Sequence, residues 1–121
     1  MESTASIGQR GEELAIKYLR ANGFMIVSRN WRSGRYEIDI VAQKCGTTHL
    51  VEVKTRKAGS LISPEASITS IKANAMRRAA RAYVGQQRVR DEISIDLVAI
   101  DIFMDGSHQI RYIEQAVEFG W

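Results

Sequence analysis

The chain has 121 residues with 45% hydrophobic side chains, enough for one packed core, so one domain over residues 1–121 is expected. Its apolar runs, such as residues 24–27 and 97–100, are short, the start MESTASIGQRGEE lacks a basic segment followed by an apolar one, and Cys45 stands alone. Membrane spans, a secretory leader, a disulfide scaffold and a cysteine-rich zinc fold are thereby argued against, and with a net charge of +3 the expected setting is soluble and cytoplasmic.

A first helix is expected over residues 6–21, stopped by Asn22-Gly23. At ~100° per residue, Ile7, Gly11, Leu14, Ala15, Tyr18 and Leu19 share one face. Glu13 falls beside Lys17 and Arg20 on the wet side. Glu12 falls between Leu19 and Ile16, at the edge of the apolar face, and can look toward a sheet. Strands over 24–31, 36–43 and 49–56 follow as an antiparallel meander, with turn chemistry at Ser33-Gly34 and Cys45-Gly46. Residues 57–66, KAGSLISPEA, hold the one proline and read as a mobile loop near a substrate.

A second helix is expected from near Ser67 to near Gly85, with an apolar arc of Ile68, Ile71, Ala75, Met76, Ala79, Ala82 and Tyr83. Arg77 and Arg81 face the opposite way, and Lys72 lies inside the arc, so it must snorkel out or meet a carboxylate. Strands over 92–102 and 109–113 flank the turn Asp105-Gly106. The order αβββαββ gives an α/β domain with a mixed sheet, because the connection from the third strand through the second helix is long enough for a parallel crossover to the fourth.

Charge is uneven along the chain. Residues 1–90 carry 16 of the 17 Lys and Arg and seven of the 14 acids, while residues 91–121 carry Arg111 against seven acids. Residues 66–90 hold no acid but six cations: Lys72, Arg77, Arg78, Arg81, Arg88 and Arg90. A basic face of this kind attracts nucleic acid through counterion release, and Arg77, Arg78 and Arg81, with Arg56 and Lys57 at the end of the third strand, are the candidate contacts. A solvated helix face in a protein kept soluble by charge fits the same pattern.

Acids also gather where a sheet is expected, in YEIDIVAQKCGTTHLVEVKTR, residues 36–56. With Cys45-Gly46 as a two-residue hairpin loop, Lys44 pairs with Thr47, and the same register sets Asp39 opposite Glu52 and Glu37 opposite Lys54, all on one face beside Val41 and Leu50. Directly opposed side chains have Cβ atoms ~4.5–5.5 Å apart, where like charges oppose folding, so Asp39 against Glu52 calls for a cation. Mg²⁺ or Mn²⁺ suits two carboxylates aided by the Val53 main-chain carbonyl, with positions left for water and a phosphate oxygen. Lys54, one step along, is placed to orient a water and stabilise charge on a phosphoryl transition state. Two alternatives stay open: a plain Glu37–Lys54 ion pair, and a longer loop that separates Asp39 from Glu52. His49 and His108 read as surface residues, and Asp96 as a strand-end charge or a partner for a basic residue.

The runs GQRGEELAIKYLRANGF, RNWRSGRYEIDIVA, HLVEVKTR, SPEASITSIKANAMRRAARAYV and ISIDLVAI, in that order over nearly the whole chain, resemble the YraN family of small bacterial proteins, uncharacterised bacterial protein family 0102. That family is assigned to the restriction-endonuclease-like PD-(D/E)xK nuclease superfamily, similar to archaeal Holliday-junction resolvases. The resemblance implies Asp39 and Glu52 as metal ligands, Lys54 as the signature lysine and Glu12 as the helix acid that approaches the metal. Glu37 and Lys72 match further family positions. A nuclease dependent on Mg²⁺ or Mn²⁺ and acting on structured or branched DNA, rather than RNA, is the implied activity, and a homodimer is compatible with the two cuts that duplex cleavage needs. Tyr36 stands where the family usually has Gly, and LISPEASIT lacks a Phe-Gly before its proline, which bears on substrate entry. The competing readings are a non-catalytic nucleic-acid-binding module of the same fold, and a dimeric assembly protein joined through its oppositely charged halves.

Overall fold

The computed structural model describes residues 4–58, 63, 66 and 68–120. The elements are α1 (Thr4–Ala21), β1 (Met25–Ser33), β2 (Tyr36–Lys44), β3 (Thr47–Lys57), α2 (Ser70–Gln87), β4 (Glu92–Ile102) and β5 (His108–Val117). The strands form one sheet in the order β1-β2-β3-β4-β5. β3 and β4 are parallel and the other neighbours antiparallel, the mixed sheet expected from the αβββαββ order.

The helices cover opposite faces. On one, Met76, Ala79, Ala80 and Tyr83 of α2 pack against Val41, Leu50, Ile93 and Ile95. On the other, Ala15, Ile16 and Leu19 of α1 pack against Ile40, Val51, Val98 and Ile100. β4, buried on both faces from Ile93 to Ile100, accordingly reads as a nearly continuous apolar run.

α1 stops where its sequence says it should. Gly23 adopts φ 86, and the Phe24 N–H donates to the Leu19 carbonyl at 3.0 Å, so a left-handed glycine closes the last turn. Gly11 has a different use: a Cβ there would stand 1.8 Å from Thr55 Oγ1, so the bare backbone lets α1 lie directly on β3. That contact sets the height of the neighbouring Glu12 above the strand end.

Three expectations need correcting. Ile71, placed in the apolar arc of α2, is 84% exposed. The helix starts after Thr69, whose hydroxyl accepts the Lys72 N–H, and its buried stripe turns toward Ala80 while the first turns overhang a cleft at Glu37 and Glu52. β5 runs past Ile113 to Val117 because a register shift between Ile95 and Leu97, with Gln115 at φ 52, lets pairing resume. The turn between β1 and β2 is Gly34-Arg35, one residue later than expected, with Ser33 paired to Tyr36. The expected mobile loop over 57–66 and the helix start at Ser67 fall largely outside the described residues, although Lys57 itself closes β3. Among the described residues no helix is long and apolar enough to cross a membrane.

Candidate metal and nucleic-acid site

The site is built where β2 leaves β3. Cys45 (φ 50) and Gly46 (φ 79) are both left-handed, as a tight hairpin turn requires. Pairing runs from Lys44 opposite Thr47 to Ile40 opposite Val51, the expected register, and ends there. Beyond that point the Val53 N–H donates to the Asp39 carboxylate at 2.8 Å instead of to β2 main chain. Pairing with β1 also skips Asp39 and its opposite number Asn30, which is left-handed at φ 51. Ile38 therefore packs on the α2 side and Ile40 on the α1 side, although residues two apart on a regular strand share a face.

This irregularity corrects the picture of four charged residues on one face of a continuous ladder. Glu37 stands opposite Arg32 on β1 and accepts its guanidinium at 3.4 Å, rather than pairing with Lys54. Asp39 turns toward β3 and spends one oxygen on main chain. Glu52, on β3, meets the Lys72 ammonium of α2 at 2.9 Å. Lys72 thus finds the carboxylate its position demanded, one turn before Met76 on the buried stripe.

Four acids from three elements act on one another here. Burial first, then the charge of Glu52, pushes Asp39 from the ordinary 3.8 up to about 7, against the Val53 hydrogen bond, with Glu12 and Glu37 adding to the rise. Burial also raises Glu12, with Glu37 and Glu52 adding to the rise and Arg29 and Arg32 opposing it. Glu12 is thus half-buried and within electrostatic reach of acids on β2 and β3. Partial burial works against the charged form of Lys72, but Glu52, Asp39 and Glu37 outweigh it and hold the ammonium above its usual range. Each of these directions describes a cluster that would gain from an added positive charge.

The donor set fits a hard divalent cation. Two carboxylates flank β3, and Val53, whose N–H faces Asp39, turns its carbonyl out on the same edge by strand geometry. Among the described residues no three His, Cys, Asp or Glu side chains form a ready cage. Mg²⁺ commonly takes one or two carboxylates and fills its remaining positions with water and phosphate oxygens, so two are sufficient.

The remaining expected residues divide. Lys54 is exposed two residues beyond Glu52 and makes no hydrogen bond or ion pair among the described residues. Arg78 borders the cleft that contains Glu37, Glu52 and Lys72, and Arg81 is exposed further along α2. Lys57 lies away from the carboxylates, in a largely apolar hollow with Ile7, Arg10 and Phe103. Arg56 and Arg77 are engaged by the fold: Arg56 pairs with Asp101 at 2.7 Å, and Arg77 donates to the Glu118 carbonyl at 2.8 Å and to Asn74 at 2.9 Å.

His49 is the clearest misreading. It is 4% exposed, and its Nδ1 lies 2.6 Å from Oδ2 of the fully buried Asp96. Asp96 also accepts from Ser94, Tyr112 and the Gln115 N–H, and although burial works against its charge these donors hold the carboxyl below the usual range. The network satisfies the main chain at the β4–β5 bulge, and alternation along β3 alone could not reveal it.

A model of the uncharacterised protein family UPF0102 matches residues 11–100, a span that includes Glu12, Asp39, Glu52, Lys54 and Lys72. The chain belongs to the UPF0102 family. UPF0102 proteins of similar length occur in Porphyromonas gingivalis, 38% identical over 110 residues (90% of this chain and 82% of that one), and in Geobacter metallireducens, 37% identical over 117 residues (96% and 95%). A UPF0102 protein of Bacteroides thetaiotaomicron is 36% identical over 110 residues, covering 91% of this chain and 90% of its own. Among solved structures, Hjc of Archaeoglobus fulgidus, a Holliday junction resolvase, matches with a TM-score of 0.50 at 20% identity over 86% of this chain and 75% of that one. The UPF0102 chain thus has the resolvase-like, restriction-endonuclease-like fold, and at that identity the likeness is one of fold.

Proposed function

We propose that this UPF0102 protein is a nuclease dependent on Mg²⁺ or Mn²⁺ that acts on DNA, structured or branched DNA in particular. The observation that carries the reading is the approach of Asp39 to Glu52 at the parting of β2 and β3, where the Val53 N–H holds the Asp39 carboxylate against β3 and burial and the charge of Glu52 push it up to about 7. Asp39, Glu52 and the Val53 carbonyl are the groups to hold the ion. A bound divalent ion there supplies Lewis acidity toward a phosphate oxygen and a more acidic water.

The chain's own groups do the rest. Asp39 is steadied by the Val53 N–H, and Lys72 balances the charge of Glu52 until an ion takes its place. Lys54, uncommitted among the described residues, steadies the attacking water and the negative charge that develops on the phosphoryl group. Glu12 closes the α1 side as an auxiliary acid. DNA as substrate is supported by the fold shared with a protein described as a Holliday junction resolvase. One site per chain also makes a homodimer the natural assembly for cutting two strands.

Incubation of the protein with branched, single-stranded and duplex DNA, with and without Mg²⁺ or Mn²⁺, tests the proposal. Cleavage is expected only with the ion, and Asp39→Ala, Glu52→Ala and Lys54→Ala should each abolish it. Cleavage that survives Asp39→Ala or Glu52→Ala would remove this site from the reaction. A second reading, a non-catalytic nucleic-acid-binding module, is favoured by one observation: Lys72 already neutralises Glu52 without a metal. It predicts salt-sensitive binding that chelators leave unchanged, with no hydrolysis.

A further inference from the structure

The β1–β2 turn and the first half of α2 enclose a cleft of about 260 Å³ beside the carboxylates, bordered by Arg35, Tyr36, Glu37, Glu52, Lys72 and Arg78. We infer that this cleft is a phosphodiester subsite, in which Arg35 and Arg78 grip the backbone phosphate adjacent to the one held at Asp39 and Glu52. The inference rests on the nuclease reading for the position of that neighbouring phosphate.

Three observations carry it. Arg35 and Arg78 come from different elements, border the same cleft, and make no hydrogen bond or ion pair among the described residues. Arg32, Arg56 and Arg77 are engaged by Glu37, Asp101 and Glu118, and Arg29 and Arg81, although uncommitted among the described residues, do not border the cleft. Second, the two walls are held in place. Gln86 Nε2 of α2 donates to Ser33 Oγ at 2.8 Å, Trp31 of β1 meets Tyr83 of α2 edge-on at 5.2 Å, and Arg35 rides the tip of a two-residue turn opened by Gly34 at φ 59. The backbones that carry Arg35 and Arg78 are thus held in place, and their planar guanidinium forks match phosphate geometry.

Third, the floor is acidic. Glu37 and Glu52 repel a free anion, so the cleft suits a phosphate that belongs to a chain already anchored next door, with Tyr36 offering an aromatic wall to its sugar or base. At ~30 Å³ per water the cleft has the volume of roughly nine waters, room for a phosphate and its sugar.

The test is binding, so it does not depend on cleavage. Affinities of the full chain for a labelled duplex and for its single strand are measured in Ca²⁺ across a salt series, and log K is plotted against log salt. Each lost phosphate contact lowers the magnitude of that slope by about 0.9 on duplex and about 0.7 on single strand. Arg35→Ala and Arg78→Ala are each expected to show this loss and the double variant their sum. Arg35→Lys is expected to keep most of the slope, and Lys17→Ala, on the exposed side of α1 across the sheet, all of it. Thermal melting checks that each variant is folded. Slopes unchanged in both alanine variants, or no binding by the wild-type chain, overturn the inference. If cleavage requires Asp39 and Glu52 while these slopes stay fixed, the subsite falls and the nuclease reading stands. If the slopes drop but nothing is ever cut, the subsite stands and the nuclease reading falls.

Discussion

Asp39→Asn separates the electrostatics of the carboxylate pair from everything else that titrates. In the cation-free protein the Asp39 carboxyl is raised from 3.8 to about 7 by burial and by Glu52. An acid whose folded value is raised gives stability that is fully present below its unfolded value and is lost as pH climbs through the folded one. The window is therefore pH 3.8 to 7, and at ~1.36 kcal/mol per pH unit the loss across it is on the order of 4 kcal/mol. Between pH 5 and pH 7 it is about 3 kcal/mol, or roughly 10 °C in Tm for a chain of this size. Asparagine carries no charge to lose, and its Oδ1 can still accept the Val53 N–H. Melting temperatures of wild type and Asp39→Asn in EDTA should thus diverge from pH 5 to pH 8, the variant becoming the relatively more stable protein. Millimolar Ca²⁺ should close most of that gap by raising the wild type alone. Parallel pH curves, or a Ca²⁺ effect of equal size in both proteins, would mean that Asp39 is neither raised by Glu52 and burial nor a ligand of the ion.

Other expectations follow from the same contacts. Gly11→Ala drives a methyl into Thr55, so it should destabilise by about 1–3 kcal/mol in denaturant titrations and, by lifting Glu12 with α1, weaken Ca²⁺ binding. Lys72→Met removes the cation that competes for Glu52, and calorimetry should show tighter Ca²⁺ binding than in wild type, whereas unchanged or weaker binding would mean that Lys72 does not compete with the ion. Asp96→Ala leaves His49, Tyr112 and the Gln115 N–H without their buried acceptor, and a loss of about 3–5 kcal/mol is expected by equilibrium unfolding.

Much of this was legible in the sequence. Asn22-Gly23 stops α1, Cys45-Gly46 forces a tight reversal whose register runs as far as Ile40 and Val51, and the α2 crossover makes β4 parallel to β3. Glu12 and Lys72 stood out because each broke a helical pattern at its apolar face, and both bear on the same acids. What stayed hidden depends on partners that no local pattern encodes. β2 leaves β3 because Asn30 turns left-handed and an Asp39 side chain takes over a main-chain bond, which no alternation of polar and apolar residues announces. Arg77 looked free on a wet helix face, yet a carbonyl 41 residues away holds it. His49 looked exposed because its acceptor, Asp96, is supplied by another strand and anchored at a bulge.

If Asp39 and Glu52 share one divalent ion, anomalous diffraction from crystals soaked in Mn²⁺ will locate it. A single strong peak is expected between the two carboxylates and the Val53 carbonyl, with the Lys72 ammonium drawn away from Glu52, and no such peak in Asp39→Asn. Anomalous density elsewhere on the chain with none between those carboxylates, or a peak that persists in the variant, would contradict a shared ion.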